Sequence, residues 1–64
     1  MYFYLFQDVN KQWRWNYRAA NHKVIADSAE AYINKSDALH GISLVTANAA
    51  SSRTYDETQK KYIN

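Results

Sequence analysis

Sixty-four residues with no cysteine and a formal net charge of +2 exclude a disulfide-stapled domain, a thiolate metal site and more than one domain. A chain this short buries only about 60% of the surface it exposes when unfolded, so it needs a further source of stability. With disulfides absent, a second copy of the chain is the expected source, and the two Trp, six Tyr and two Phe supply the apolar area for it.

Residues 2–7, Tyr-Phe-Tyr-Leu-Phe-Gln, are rich in aromatics and read as a first strand. Phe3 and Leu5 occupy one side, and Tyr2, Tyr4 and Phe6 the other. A strand apolar on both sides is expected to be central, or covered on both faces. Asp8 to Lys11 supply turn formers. Residues 12–19 then alternate strictly, with Trp13, Trp15 and Tyr17 on one face and Arg14, Asn16 and Arg18 on the opposite one. Asn21 is expected to take the left-handed conformation of a hairpin turn. Residues 23–26 make a short third strand and complete a meander.

The period then changes. Asn34 reads as a helix N-cap with Asp37 in the first turn, where a carboxylate suits the positive end of the helix dipole. Ala38, Ile42, Val45 and Ala49 recur at helical spacing on one narrow face, with Gly41 beside them. Gly in a helix interior costs about 1 kcal/mol relative to Ala, so Gly41 is expected to make room for a large ring or another backbone. Residues 53–58 read as a fourth strand. It is too polar to stand alone and must join an existing sheet edge. Residues 59–64 are expected to be a frayed tail, which leaves residues 1–58 as the single domain.

Arg14-Trp15, Ala20-Asn21, Val24-Ile25-Ala26, Tyr32 with Lys35, and Gly41-Ile42 with Val45 follow one another in an order and spacing that resembles the YegP-like family. These are small bacterial and archaeal domains of unknown function. The resemblance covers residues 1 to about 50. It implies an α+β fold of β-β-β-α-β units, found as tandem repeats or as a homodimer, with one helix on one face of an antiparallel meander. It further implies that two units form one continuous sheet, each C-terminal strand swapped onto the other unit. A single unit such as this one is then expected to be the homodimeric form. Three positions depart from the family pattern. His22 stands where glycine is usual, Ala31 replaces a common glycine before Tyr32, and the connection from Ile25 to Tyr32 is one residue longer. The family brings no catalytic residues.

The residues themselves point away from catalysis. Asp27 and Glu30 lie in a surface-like loop rather than a shared cleft, and no nucleophile elbow, phosphate loop or H-E-x-x-H motif occurs. His22 and His40 lack the spacing and further ligands of a metal site. No catalytic residue, metal or cofactor is expected.

Two surfaces remain. Lys11, Arg14, Arg18 and Lys23 face only Asp8 within residues 1–23, which offers a mildly basic sheet face for nucleic-acid backbone contacts. With Trp13, Trp15 and Tyr17 on the opposite face, no stacking platform is expected beside the arginines. Tyr2, Tyr4, Phe6 and Tyr55 are the candidates for a partner or dimer surface. No apolar run approaches the ~20 residues that cross a bilayer, and residues 1–6 lack the flanks of a signal peptide. The expectation is a cytoplasmic, non-catalytic, homodimeric structural or binding module, with weak nucleic-acid binding as the alternative.

Overall fold

The computed structural model describes all of residues 1–64. Strands β1 (Tyr2–Gln7), β2 (Trp13–Arg18) and β3 (Val24–Asp27) form an antiparallel sheet in the order β1-β2-β3. Helix α1 (Lys35–Asn48) follows and tightens into a 3₁₀ turn at Ala49–Ser51. Strands β4 (Tyr55–Asp56) and β5 (Lys61–Tyr62) then pair with each other in a separate two-stranded hairpin. The fold is therefore a small α+β unit with a C-terminal hairpin.

Asp8 builds the first turn. Its Oδ1 accepts the N–H groups of Asn10 and Gln12, at 2.9 and 3.1 Å, and the Lys11 N–H donates to its carbonyl oxygen. That arrangement puts Lys11 at a φ of 59°. In the second turn it is His22 that takes the left-handed conformation, at φ 69°, and not Asn21. The Asn21 side chain instead accepts the N–H of Lys23, holding the turn from within. His22 thus adopts the backbone shape for which glycine is best suited.

After β3 the chain bulges outward and returns. The Ser28 N–H donates to the Trp15 carbonyl, and Trp13 and Tyr32 exchange both backbone hydrogen bonds. Ala29 sits in the excursion between them at φ 58°. The return places Tyr32 next to Gly41. A Cβ on Gly41 would stand 3.1 Å from Tyr32 Oη and 3.3 Å from Trp15 Nε1, so this glycine does make room for two large rings.

Asn34 occupies the N-cap position with extended backbone, but its side chain caps no helix N–H. Its amide donates to Asp37 Oδ2 at 3.4 Å instead. The helix packs on the face carrying Phe3, Trp15 and Tyr17, through Ala38 and Gly41 near its start. Trp15 and Ala38 are the only buried residues, 7% and 0% exposed. Towards its C-terminal end the packing loosens. An apolar groove of about 290 Å³ opens there, lined by Phe3, Tyr17, Val45, Thr46, Ala49 and Ala50.

Three expectations need correction. β1 is neither central nor covered on both faces: it forms one edge of the sheet, and its Tyr2, Tyr4 and Phe6 side has no element over it. Within one chain the segment at 53–58 joins neither edge of the three-stranded sheet, and its two paired residues take β5 as their partner. Residues 59–64 are not a frayed tail but the turn and returning arm of that hairpin. The arm is held by the Ile63 N–H donating to the Thr54 carbonyl and by Asn64 accepting from Thr54 and Arg53. The hairpin stands off the body, and the radius of gyration is 13.8 Å against about 11 Å for a compact chain of this length.

Candidate functional site

The antiparallel register sets Tyr2 opposite Arg18, Tyr4 opposite Asn16 and Phe6 opposite Arg14. Residues directly opposite in a sheet share a face, so these six side chains line the side away from the helix. Arginines and aromatic rings therefore do lie together. The rings come from β1, whereas Trp13, Trp15 and Tyr17 belong to the helix side. The pattern of β2 alone does not reveal this juxtaposition, since its own rings face the helix. The signal was the turn at residues 8–12, which fixes how β1 pairs with β2.

On this open face the Arg18 guanidinium carbon lies 3.9 Å from the centroid of the Tyr4 ring, and Arg18 Nε donates to Asn16 Oδ1 at 2.8 Å. The Tyr4 and Phe6 rings are 5.8 Å apart, centre to centre. Tyr2 meets His22 edge-on at 5.9 Å, and its hydroxyl is hydrogen-bonded to His22 Nδ1 at 2.7 Å. Tyr2 and Tyr4 remain 37% and 42% exposed, which leaves ring surface free for contact.

Arg14 is less free than Arg18. Its Nε donates to Asp8 Oδ2 at 2.8 Å, and this bond, followed by the one from the Gln12 N–H, holds the Asp8 carboxyl below its ordinary value of 3.8. Asp27 faces Asn16 in register and adds a second carboxylate, with Oδ1 accepting the Ala29 N–H. Between Phe6, Arg14, Asn16, Val24, Asp27 and Ser28 the sheet surface forms a shallow concavity of about 560 Å³. It presents a cation, an amide and a carboxylate over an apolar floor.

Lys11 and Lys23 do not join Arg14 and Arg18 in one cluster. They lie in the turns at opposite ends of β2 and flank the arginines. Tyr55 is separate from Tyr2, Tyr4 and Phe6. It belongs to the hairpin, where its ring packs edge-on to Tyr62 at 5.1 Å and Arg53 covers the Tyr62 ring at 4.0 Å. Tyr55, Tyr62 and Ile63 are all about half exposed there. No group of three or more His, Asp or Glu side chains converges as a metal site would require. No helix is long and apolar enough to cross a membrane.

The profile of a family described as "Domain of unknown function (DUF1508)" matches residues 8–56. UPF0339 protein NMB1088 of Neisseria meningitidis serogroup B is 36% identical over 50 residues, which are 78% of this chain and 88% of that protein. UPF0339 protein NMA1193/NMA1859 of serogroup A of the same species matches to the same extent. The NMR solution structure of a protein from Haloferax volcanii superposes with a TM-score of 0.78 at 33% identity, covering 86% of this chain and 92% of the other. With ordered sequence pattern, family profile and fold in agreement, the chain belongs to the YegP-like family, DUF1508, of small domains of unknown function.

Proposed function

We propose that the chain is a non-catalytic binding module of the cytoplasm. It works as a homodimer in which the C-terminal hairpin of each copy completes the sheet of the other along β1. The observation that carries this reading is a mismatch within one chain. β1 is apolar on both sides yet has a free edge, while Tyr55, Tyr62 and Ile63 project from a hairpin that covers nothing. Each supplies what the other lacks. The groove lined by Phe3, Tyr17 and Val45 adds apolar surface beside β1 for the incoming rings.

Pairing edge to edge leaves the ring-and-arginine face uncovered in both copies, as the binding surface of the module. Its polar groups are engaged with one another and none is set beside a nucleophile or in an enclosed cleft, which favours binding over chemistry. Backbone contacts to nucleic acid through Lys11, Arg14, Arg18 and Lys23 are the second reading, favoured by the two arginines on this face and the two lysines in the turns that flank it.

The test is removal of residues 53–64, followed by light scattering and thermal melting. A full-length mass near twice 7.5 kDa that falls to the monomer value on truncation, or a truncated chain that no longer melts cooperatively, is expected. Unchanged mass and melting temperature would rule out the exchanged hairpin.

A further inference from the structure

Resting on the reading of the open face as the binding surface, we propose that its ligand is a single-stranded nucleic acid whose bases stack on Tyr4, Phe6 and the Arg18 guanidinium. Three observations converge on this chemistry. First, the face alternates rings and cations across one strand pair: Tyr2, Tyr4 and Phe6 stand opposite Arg18, Asn16 and Arg14. The Tyr4 and Phe6 rings, two residues apart on β1, lie 5.8 Å apart centre to centre, which sets two aromatic surfaces side by side along an extended chain of nucleotides. Aromatic rings and guanidinium planes are the two protein groups on which unpaired bases stack. Arg18 already lies over the Tyr4 ring at 3.9 Å and is held there by Asn16, so the guanidinium, backed by the ring, is the flat surface a base meets at this position.

Second, the charges suit a polyanion running across the strands. Arg14 and Arg18 sit on the pair, and Lys11 and Lys23 stand at its two ends, against Asp8 and Asp27. Asp8 is engaged by Arg14 and by two backbone N–H groups, so its charge is partly screened from a ligand. Third, the ring-and-arginine surface is itself a shallow sheet face, carried by neither the helix nor the projecting C-terminal hairpin, which suits unpaired bases better than the groove of a duplex. Asn16, with its oxygen on Arg18, retains an amide N–H₂ to offer a base edge.

The experiment is fluorescence anisotropy with labelled oligo-dT and oligo-U of about 12 nucleotides, a length such platforms span, and with a duplex of the same length. Each is titrated at ~50 and ~200 mM salt while the protein mass is followed by light scattering. Binding of single strands in preference to duplex is expected. It should weaken on the order of tenfold in Tyr4→Leu, which keeps apolar bulk without a ring, and in Arg18→Ala. Tyr4→Phe should retain it. Preference for oligo-dT or oligo-U then identifies DNA or RNA. Salt-dependent binding that is equal for duplex and single strand and unaffected by Tyr4→Leu would overturn stacking in favour of backbone contact alone. A protein of dimeric mass that binds none of the three probes at low salt would overturn the nucleic-acid ligand and leave the dimeric module standing, its face then open to a protein partner. A monomeric protein that binds single strands would do the reverse.

Discussion

Gly41 and Trp15 lie so close that a Cβ on the glycine would meet the indole Nε1 at 3.3 Å, with Tyr32 Oη nearer still at 3.1 Å. The start of α1 is seated on the sheet by this contact and by the fully buried Ala38. In a chain with two buried residues, the geometry of this helix–sheet contact weighs heavily on stability. Trp15 Nε1 is enclosed there without a hydrogen-bond partner, which leaves no polar contact to absorb a shift of the ring.

Gly41→Val adds three carbons at this point and should destabilise the fold by roughly 1–3 kcal/mol, through displacement of Trp15 or Tyr32. Urea unfolding followed by tryptophan fluorescence measures it. Gly41→Ala is the informative companion. It gains up to about 1 kcal/mol of helix propensity against the crowding at 3.1 and 3.3 Å, so it should fall well short of the loss from valine. Equal stability of the valine variant and the wild type would mean that the helix is not seated on Trp15.

Ala29 and Ala31 make opposite predictions for the same substitution. Ala29 is held at φ 58°, where an L side chain costs roughly 1–2 kcal/mol, whereas Ala31 has no positive φ. Ala29→Gly should therefore raise stability by about 0.5–1 kcal/mol after the added freedom of the unfolded chain is subtracted. Ala31→Gly should lower it by about 0.5–1 kcal/mol. Thermal melts of the two variants side by side decide the matter, and a reversed order would contradict the loop geometry.

Asp8 sets a pH dependence on the acid side. Its carboxyl is held below 3.8 by Arg14 and by backbone N–H groups, so the folded state favours the charged form. The resulting stabilisation is fully present above the unfolded value of 3.8 and disappears as pH falls through the lower folded value. Asp8→Asn should flatten that part of the stability curve and, between about pH 6 and 8, lower stability by a constant amount without changing its slope. Loss of stability on acidification that is as steep in the variant as in the wild type would show that the Asp8–Arg14 pair does not persist in solution.

The meander and the helix are legible in the sequence because each announces itself by period. Residues 2–7 are an aromatic run that the structure reproduces as β1, and the alternation from Trp13 to Arg18 is β2. Asn34 and Asp37 mark the helix start, and the spacing from Ala38 to Val45 its packed side. The C-terminal hairpin is not legible, since residues 57–61 are polar and only Tyr62 and Ile63 suggest a strand. Nor is the choice of His22 over Asn21 for the left-handed position, because both residues are compatible with a turn and hydrogen bonding decides between them. The open face is the instructive case. Arg14 and Arg18 are visible in β2, but the rings beside them come from β1, and only pairing brings the two sets together.

The most direct measurement of the exchanged hairpin is an isotope-filtered NMR experiment on a mixture of labelled and unlabelled chains, which reports contacts between copies only. Cross-peaks from Tyr55, Tyr62 or Ile63 of one copy to Phe3 or other β1 residues of the other are the expected result. Cross-peaks from the hairpin confined to its own chain, in a protein of monomeric mass, would contradict it.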